Sequence, residues 1–174
     1  MNYMILTKIS LRSWYLVAAV SCGGLLGYAL YVQYVDFLDP CPLCIIQRVA
    51  YMWIGGVALL AAIHYPGNKG QKIYSWMMVL GSVLGTAVAG RHVWMQHLPA
   101  DLVPECGPGL NYMLENFPLG ETFQTVFFGS GSCAEVKWTF IGLSMPEWSL
   151  IFFIGLGVST LWFTFRRISR GASL

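Results

Sequence analysis

Four long apolar runs, set apart by charged or turn-rich stretches, dominate the pattern of this chain. They cover about 14–33, 45–63, 73–90 and 146–165, and the one acidic residue within those bounds is Glu147, at the edge of the fourth. Runs of about 18–20 residues make helices of about 27–30 Å, which matches a hydrocarbon core of about 30 Å. Backbone that crosses lipid must satisfy its hydrogen bonds internally, so each run is expected to be a helix. The expected fold class is therefore an all-α membrane protein: a four-transmembrane-helix bundle forming a single domain over 1–174.

Turn-forming residues concentrate in the last connection, about 92–145. It carries Pro99, Pro104, Gly107-Pro108-Gly109, Pro118 and Gly129-Ser130-Gly131-Ser132, which break regular structure. Among them Leu119, Phe123, Val126 and Phe127 recur at i, i+4, i+7 and i+8. That spacing predicts a short amphipathic helix, lying on the membrane or on top of the bundle. Within the spans, Gly23 and Gly27, Gly81 and Gly85, and Gly155 and Ser159 recur at intervals suited to close helix contact. The first run also contains Ala19-Val20-Ser21-Cys22, loosely like a lipoprotein cleavage site. It stays apolar through Val32, where a processed lipoprotein needs a polar tether, so a retained span is expected. Cys22 is then a small packing residue.

Charge orients the bundle. Lys8 and Arg12 precede the first run, Lys69 and Lys72 separate the second and third, and Arg166, Arg167 and Arg170 follow the fourth. All eight acidic residues lie on the other side. The positive-inside rule then places both termini and the short middle loop in the cytoplasm, with the loops at about 34–44 and 92–145 outside. Trp14, Trp76 and Trp162 fall at the inner level, and Trp94 and Trp148 at the outer, as interfacial belts require. With 56% hydrophobic and 10% charged residues, an ordinary soluble domain is excluded. The net charge of +2 follows from topology, and no nucleic-acid partner is expected.

Four of the five cysteines fall in the outward loops. Cys41-Pro42-Leu43-Cys44 opens the second span, and Cys106 and Cys133 lie in the long loop with 26 residues between them. In an oxidising compartment, two structural bridges are one reading. A Cys41–Cys44 bridge closes so small a loop that it stabilises little through chain entropy. Residues three apart in a first helical turn can form a disulfide, and both the helix N-terminus and Arg48 favour a thiolate at Cys44. That pair is expected to exchange disulfides. For Cys106 and Cys133, a structural bridge and an exchange pair are both open. A c-type haem needs His after the second cysteine, and here Ile45 follows. Zinc lacks a second close pair, so no metal site is expected.

Exchange needs an electron acceptor. Arg48 lies just inside the second span, where a cation is functional or snorkels to the interface. His92 and Gln96 share a helical face at the same outer level. Guanidinium, imidazole and amide beside a thiolate suit the carbonyl oxygens of a quinone. A transporter or channel would require an ionisable residue at mid-membrane, and none is present. A purely structural protein would tolerate joint replacement of Cys41 and Cys44.

These residues carry a family resemblance. The chain resembles the bacterial disulfide bond formation protein B (DsbB) family, membrane quinone reductases that reoxidise periplasmic DsbA, over nearly its whole length. The likeness rests on the four spans, Cys41–Cys44 followed by Gln47-Arg48, and His92 through Gln96. It continues through Ser130-Gly131-Ser132-Cys133-Ala134-Glu135, Trp138, Gly142-Leu143 and Met145-Pro146-Glu147-Trp148. The glycine-rich setting Glu105-Cys106-Gly107-Pro108-Gly109 departs from it and bears on partner choice.

The resemblance implies a bacterial inner-membrane enzyme with periplasmic cysteine loops. Cys44 is the quinone-facing cysteine and Cys41 its partner; a reduced DsbA-like protein attacks Cys106, and Cys133 completes the loop disulfide. Arg48, His92 and Gln96 bind ubiquinone or menaquinone from the membrane pool. A partner oxidase of about −120 mV needs a stronger acceptor still, which a respiratory quinone supplies and glutathione does not. A relative with a dedicated partner, or one running thiol flow in reverse, would look the same at these residues.

Overall fold

The computed structural model describes residues 11–64, 66–99, 102, 118, 120, 133–136 and 138–171, with side chains as far as Arg166. The apolar runs become four helices: α1 (Leu11–Val35), α2 (Pro42–His64), α3 (Asn68–Gln96) and α4 (Met145–Gly171). All four are long and apolar enough to span a bilayer. They outrun the expected bounds because helical backbone continues into polar flanks. In α3, 29 residues make about 43 Å of helix, so His92 and Gln96 sit on its last turns.

Packing follows chain order. α1 lies on α2, α2 on α3 and α3 on α4, whereas α1 and α4 scarcely meet. The shared core holds Ile54, Ala58, Met78, Ala89 and Phe153. Around it the surface is inverted relative to a water-soluble protein: Val20 is 73% exposed and Val158 62%, a belt that suits lipid. Polar ties close the end bearing the middle loop. Arg12 Nε donates to the Ala62 carbonyl at 3.1 Å, and the Tyr15 hydroxyl donates to the Gln71 carbonyl at 3.2 Å.

Of the expected small-residue contacts, one pair is used as such. A Cβ on Gly85 would meet the Phe153 ring at 2.8 Å, and one on Gly81 would meet Ile54 and Trp53 at 2.8 Å. Gly23, Gly27 and Gly155 instead have nothing within 4 Å of a Cβ, so spacing alone misassigned them. Cys22 is buried, as expected, with its Cβ 3.0 Å from the Cβ position of Gly55.

One element was not expected. β1 (Thr139–Phe140) pairs antiparallel with β2 (Leu143–Ser144) through a two-residue turn at Ile141 and Gly142, with φ of 54° and 79°. Two successive positive φ values match the twist of a tight hairpin, although Ile is a poor residue for the first. Trp148 Nε1 donating to the Phe140 carbonyl at 3.0 Å helps hold it. The amphipathic helix expected near 119–127 lies outside the described residues.

Gly85→Val forces the Phe153 ring to move, and it is expected to destabilise the bundle by about 1–3 kcal/mol. Thermal unfolding in detergent checks this; an unchanged midpoint would contradict the packing described.

Candidate active site

The chemistry gathers where α2 begins. α1 is stopped by a left-handed residue, Phe37 at φ 52°, while Leu38 N–H reaches back to the Val32 carbonyl at 3.4 Å. With that hydrogen bond behind a left-handed residue, the helix ends and the chain is redirected. Cys41 then serves as the N-cap of α2. Its carbonyl accepts from Ile45 N–H at 3.2 Å, and Pro42 takes the first helical position, where its missing N–H costs nothing. The Cys41 sulfur acts as the capping group, accepting from Cys44 N–H at 3.4 Å. A capped first turn therefore brings Cys41 Sγ to 3.2 Å from Cys44 Sγ.

Cys41 has a second sulfur within reach. Cys133 is fully buried against Leu43, Val88 and Met95. The sulfurs of Cys41 and Cys133 and a ring nitrogen of His92 all lie within 4.8 Å of one another. Hydrogen bonding to Cys41, followed by burial, pushes the Cys133 thiol well above the usual range. Two thiols and an imidazole form a donor set for a soft cation such as zinc. A metal held there would occupy the sulfurs that exchange requires.

His92 lines the same cavity as Arg48 and Gln96 and also reaches Cys41. It is 2% exposed, with Nε2 at 3.6 Å from Cys41 Sγ and Nδ1 at 3.1 Å from Gln47 Nε2. When the Gln47 amide donates to Nδ1, the neutral ring carries its proton on Nε2, the nitrogen beside the sulfur. Gln47 was visible in the sequence only as the neighbour of Arg48. Its signal was position i+3 from Cys44, which puts it on the same face.

Arg48 turns toward α1. Nη2 donates to the Ala29 carbonyl at 3.1 Å, and Nη1 donates to Gln33 Oε1. Fixed this way, it lines a cavity shared with Cys41, Cys44, Gln47, His92 and Gln96. Gln96 is tethered at the rim: its Oε1 accepts from Ser144 Oγ at 2.8 Å. Glu147 accepts from Ser144 N–H at 2.6 Å, closing the start of α4 as half of a capping box. A second groove, bounded by Leu25, Tyr28, Trp148 and Phe152, follows the open seam between α1 and α4. The two cavities share Ala29, Tyr51, Trp138, Met145 and Ser149, so the space beside Cys44 is continuous with that seam.

Six of the seven residues singled out from sequence thus meet at one end of the bundle. Cys106 lies outside the described residues. A flat apolar molecule bearing acceptor oxygens fits the cavity, because its walls are largely apolar and Arg48 carries only donors.

Comparison with known proteins is consistent with this geometry. A family model described as disulfide bond formation protein DsbB matches residues 11–163. A disulfide bond formation protein B from Nitrosococcus oceani is 51% identical over 155 residues, covering 89% of this chain and 92% of the relative. Proteins of the same description from Chromobacterium violaceum and Methylococcus capsulatus are 46% and 48% identical, covering 92% and 90% of this chain and 96% and 95% of their own.

Gln47→Leu leaves His92 Nδ1 buried without a partner and frees the ring to turn from Cys41. It is expected to slow disulfide exchange at Cys41 by about 3- to 10-fold, the worth of one hydrogen bond. Stopped-flow measurement with a small dithiol checks this; an unchanged rate would contradict the role given to the Gln47–His92 contact.

Proposed function

The chain belongs to the DsbB family of disulfide-generating membrane oxidoreductases, and from that premise we propose how its residues carry out the reaction. It reoxidises a DsbA-like periplasmic thiol oxidase and passes the electrons to a quinone of the bacterial inner membrane. Both termini face the cytoplasm and the cysteine loops face the periplasm, as the charge distribution favours. The observation that carries the reading is the position of Cys41, with one sulfur at 3.2 Å and another within 4.8 Å.

The exchange starts from a resting state with disulfides Cys41–Cys44 and Cys106–Cys133. A thiolate of the partner attacks Cys106, the Cys106–Cys133 bond breaks, and Cys133 leaves as thiolate. Released as thiolate beside Cys41, Cys133 is placed to attack it. Cys133 attacks Cys41, and the Cys41–Cys44 bond breaks with Cys44 as leaving group. The second thiolate of the partner then resolves the mixed disulfide at Cys106, and the oxidised partner departs. The released Cys106 thiolate attacks Cys133, restoring the loop disulfide and returning Cys41 as thiolate beside Cys44. Nε2 of His92 lies 3.6 Å from Cys41 Sγ and can exchange a proton with it.

A quinone held there would supply a two-electron, two-proton acceptor. On the protein side, Arg48 offers its remaining N–H donors to a carbonyl oxygen, and the α1–α4 seam gives a lipid-soluble molecule a lateral path to Cys44. Arg48 is oriented by its bonds to Ala29 and Gln33, so it lines the cavity already ordered.

Anaerobic quinone reduction driven by a reduced periplasmic thioredoxin-fold protein tests the reading. Fast quinone loss is expected for the native chain and none above background for Cys44→Ala. Arg48→Gln is expected to raise the quinone KM by about tenfold or more, as loss of a charged donor predicts. No quinone loss by the native chain, with either ubiquinone or menaquinone analogues, would sink the proposal.

A further inference from the structure

Arg48 accounts for one end of a quinone, but a para-quinone has a second carbonyl oxygen on its opposite edge. The protein offers a candidate partner at the matching depth. Tyr51 follows Cys44 and Arg48 on one stripe of α2, at i+7 and i+3, or about 10 Å and about 4.5 Å further along the axis. Its ring is buried at 7% exposure, and it stacks on Phe153 with centroids 4.6 Å apart. Ser149 of α4 lines the same two cavities as Tyr51. Both residues line the cavity beside Cys44 and also the groove along the seam, so the hydroxyl pair stands at their junction.

A tyrosine buried against Phe152 and Phe153, with the half-buried Ser149 lining the same cavity, is out of keeping with packing alone, where Phe and Ala would fill the same space without a polar group to satisfy. Tyr has one O–H to donate, and Ser149 can accept it or donate to the phenol oxygen. The pair can therefore present a donor to the cavity while remaining satisfied when the cavity is empty of acceptor. The separation of a quinone's two carbonyl oxygens is close to one helical pitch, about 5.4 Å, which is comparable to the rise between Arg48 and Tyr51.

We propose that the Tyr51 hydroxyl, held in place by Ser149, is the inner hydrogen-bond donor of the quinone pocket and takes the carbonyl oxygen opposite the one at Arg48. The proposal rests on the quinone reading above and adds a second polar anchor to it. A molecule with acceptors at both ends is then favoured over one with a single carbonyl. Ser149 is a positioning residue that acts through Tyr51.

Equilibrium binding of a short-chain ubiquinone analogue to the oxidised protein, followed by quenching of tryptophan fluorescence, tests this without turnover. Trp138 lines the pocket and supplies the signal. Tyr51→Phe keeps the ring stack and removes only the hydroxyl. It is expected to raise Kd by about 3- to 10-fold and the quinone KM in parallel, with little change in kcat. Ser149→Ala is expected to weaken binding less, and the double variant to bind no worse than Tyr51→Phe, as for residues acting in series. Unchanged Kd in Tyr51→Phe, with native binding intact, overturns the inner donor and leaves the quinone reading standing. Failure of the native protein to bind quinone overturns both.

Discussion

The site depends on a sulfur used as a helix cap. Helix N-termini need an acceptor for their first free N–H groups, and α2 takes the side chain of Cys41 for that purpose, with Cys44 N–H at 3.4 Å. The choice fixes the register of everything that follows on α2. Cys44 falls one turn on, against Cys41; Gln47 meets His92; Arg48 reaches α1; Tyr51 reaches α4. An oxygen cap such as Ser would start the helix equally well, but it would leave no sulfur between the two thiols. The atom that caps α2 is thus also the one that the proposed exchange uses, and the backbone that orders Cys41 orders that path.

A second constraint comes from the solvent. In water, a bundle whose first and last helices scarcely touch would expose apolar surface at considerable cost. In lipid the hydrocarbon is as apolar as the side chains, so closing the α1–α4 seam brings little. The opening can therefore persist and serve a lipid-soluble reactant. The same reasoning explains the position of the firm contacts. The Gly85–Phe153 and Gly81–Ile54 approaches lie between α3 and its neighbours, where the bundle must hold its shape, while Gly23 and Gly27 on α1 face open space.

Much of this was legible in the sequence. Apolar run length gave four helices, and the Cys-Pro-Leu-Cys spacing at a span's start put two sulfurs on the first turn of α2, where they lie 3.2 Å apart. What escaped was tertiary. Spacing places Cys41 near Cys44, but nothing local places Cys133 beside Cys41, because that contact depends on a chain that leaves α3 and returns to α4. His92 and Gln96 share a helical face, yet one turns to Cys41 and Gln47 and the other to Ser144, a divergence set by what each meets across the bundle. The hairpin at 139–144 was missed because its turn places Ile141 at positive φ, contrary to residue preference. Tyr51 and Ser149 look like ordinary span residues until α2 and α4 are brought together.

The central claim is that Cys41 changes sulfur partner during turnover. Mixing the oxidised protein, stripped of quinone, with one equivalent of the reduced partner, then quenching with acid and mapping disulfides by mass spectrometry, addresses it most directly. The account predicts a Cys41–Cys133 linkage with Cys44 free and Cys106 joined to the partner. A Cys41–Cys44 bond that stays intact while Cys106 and Cys133 are reduced would contradict it.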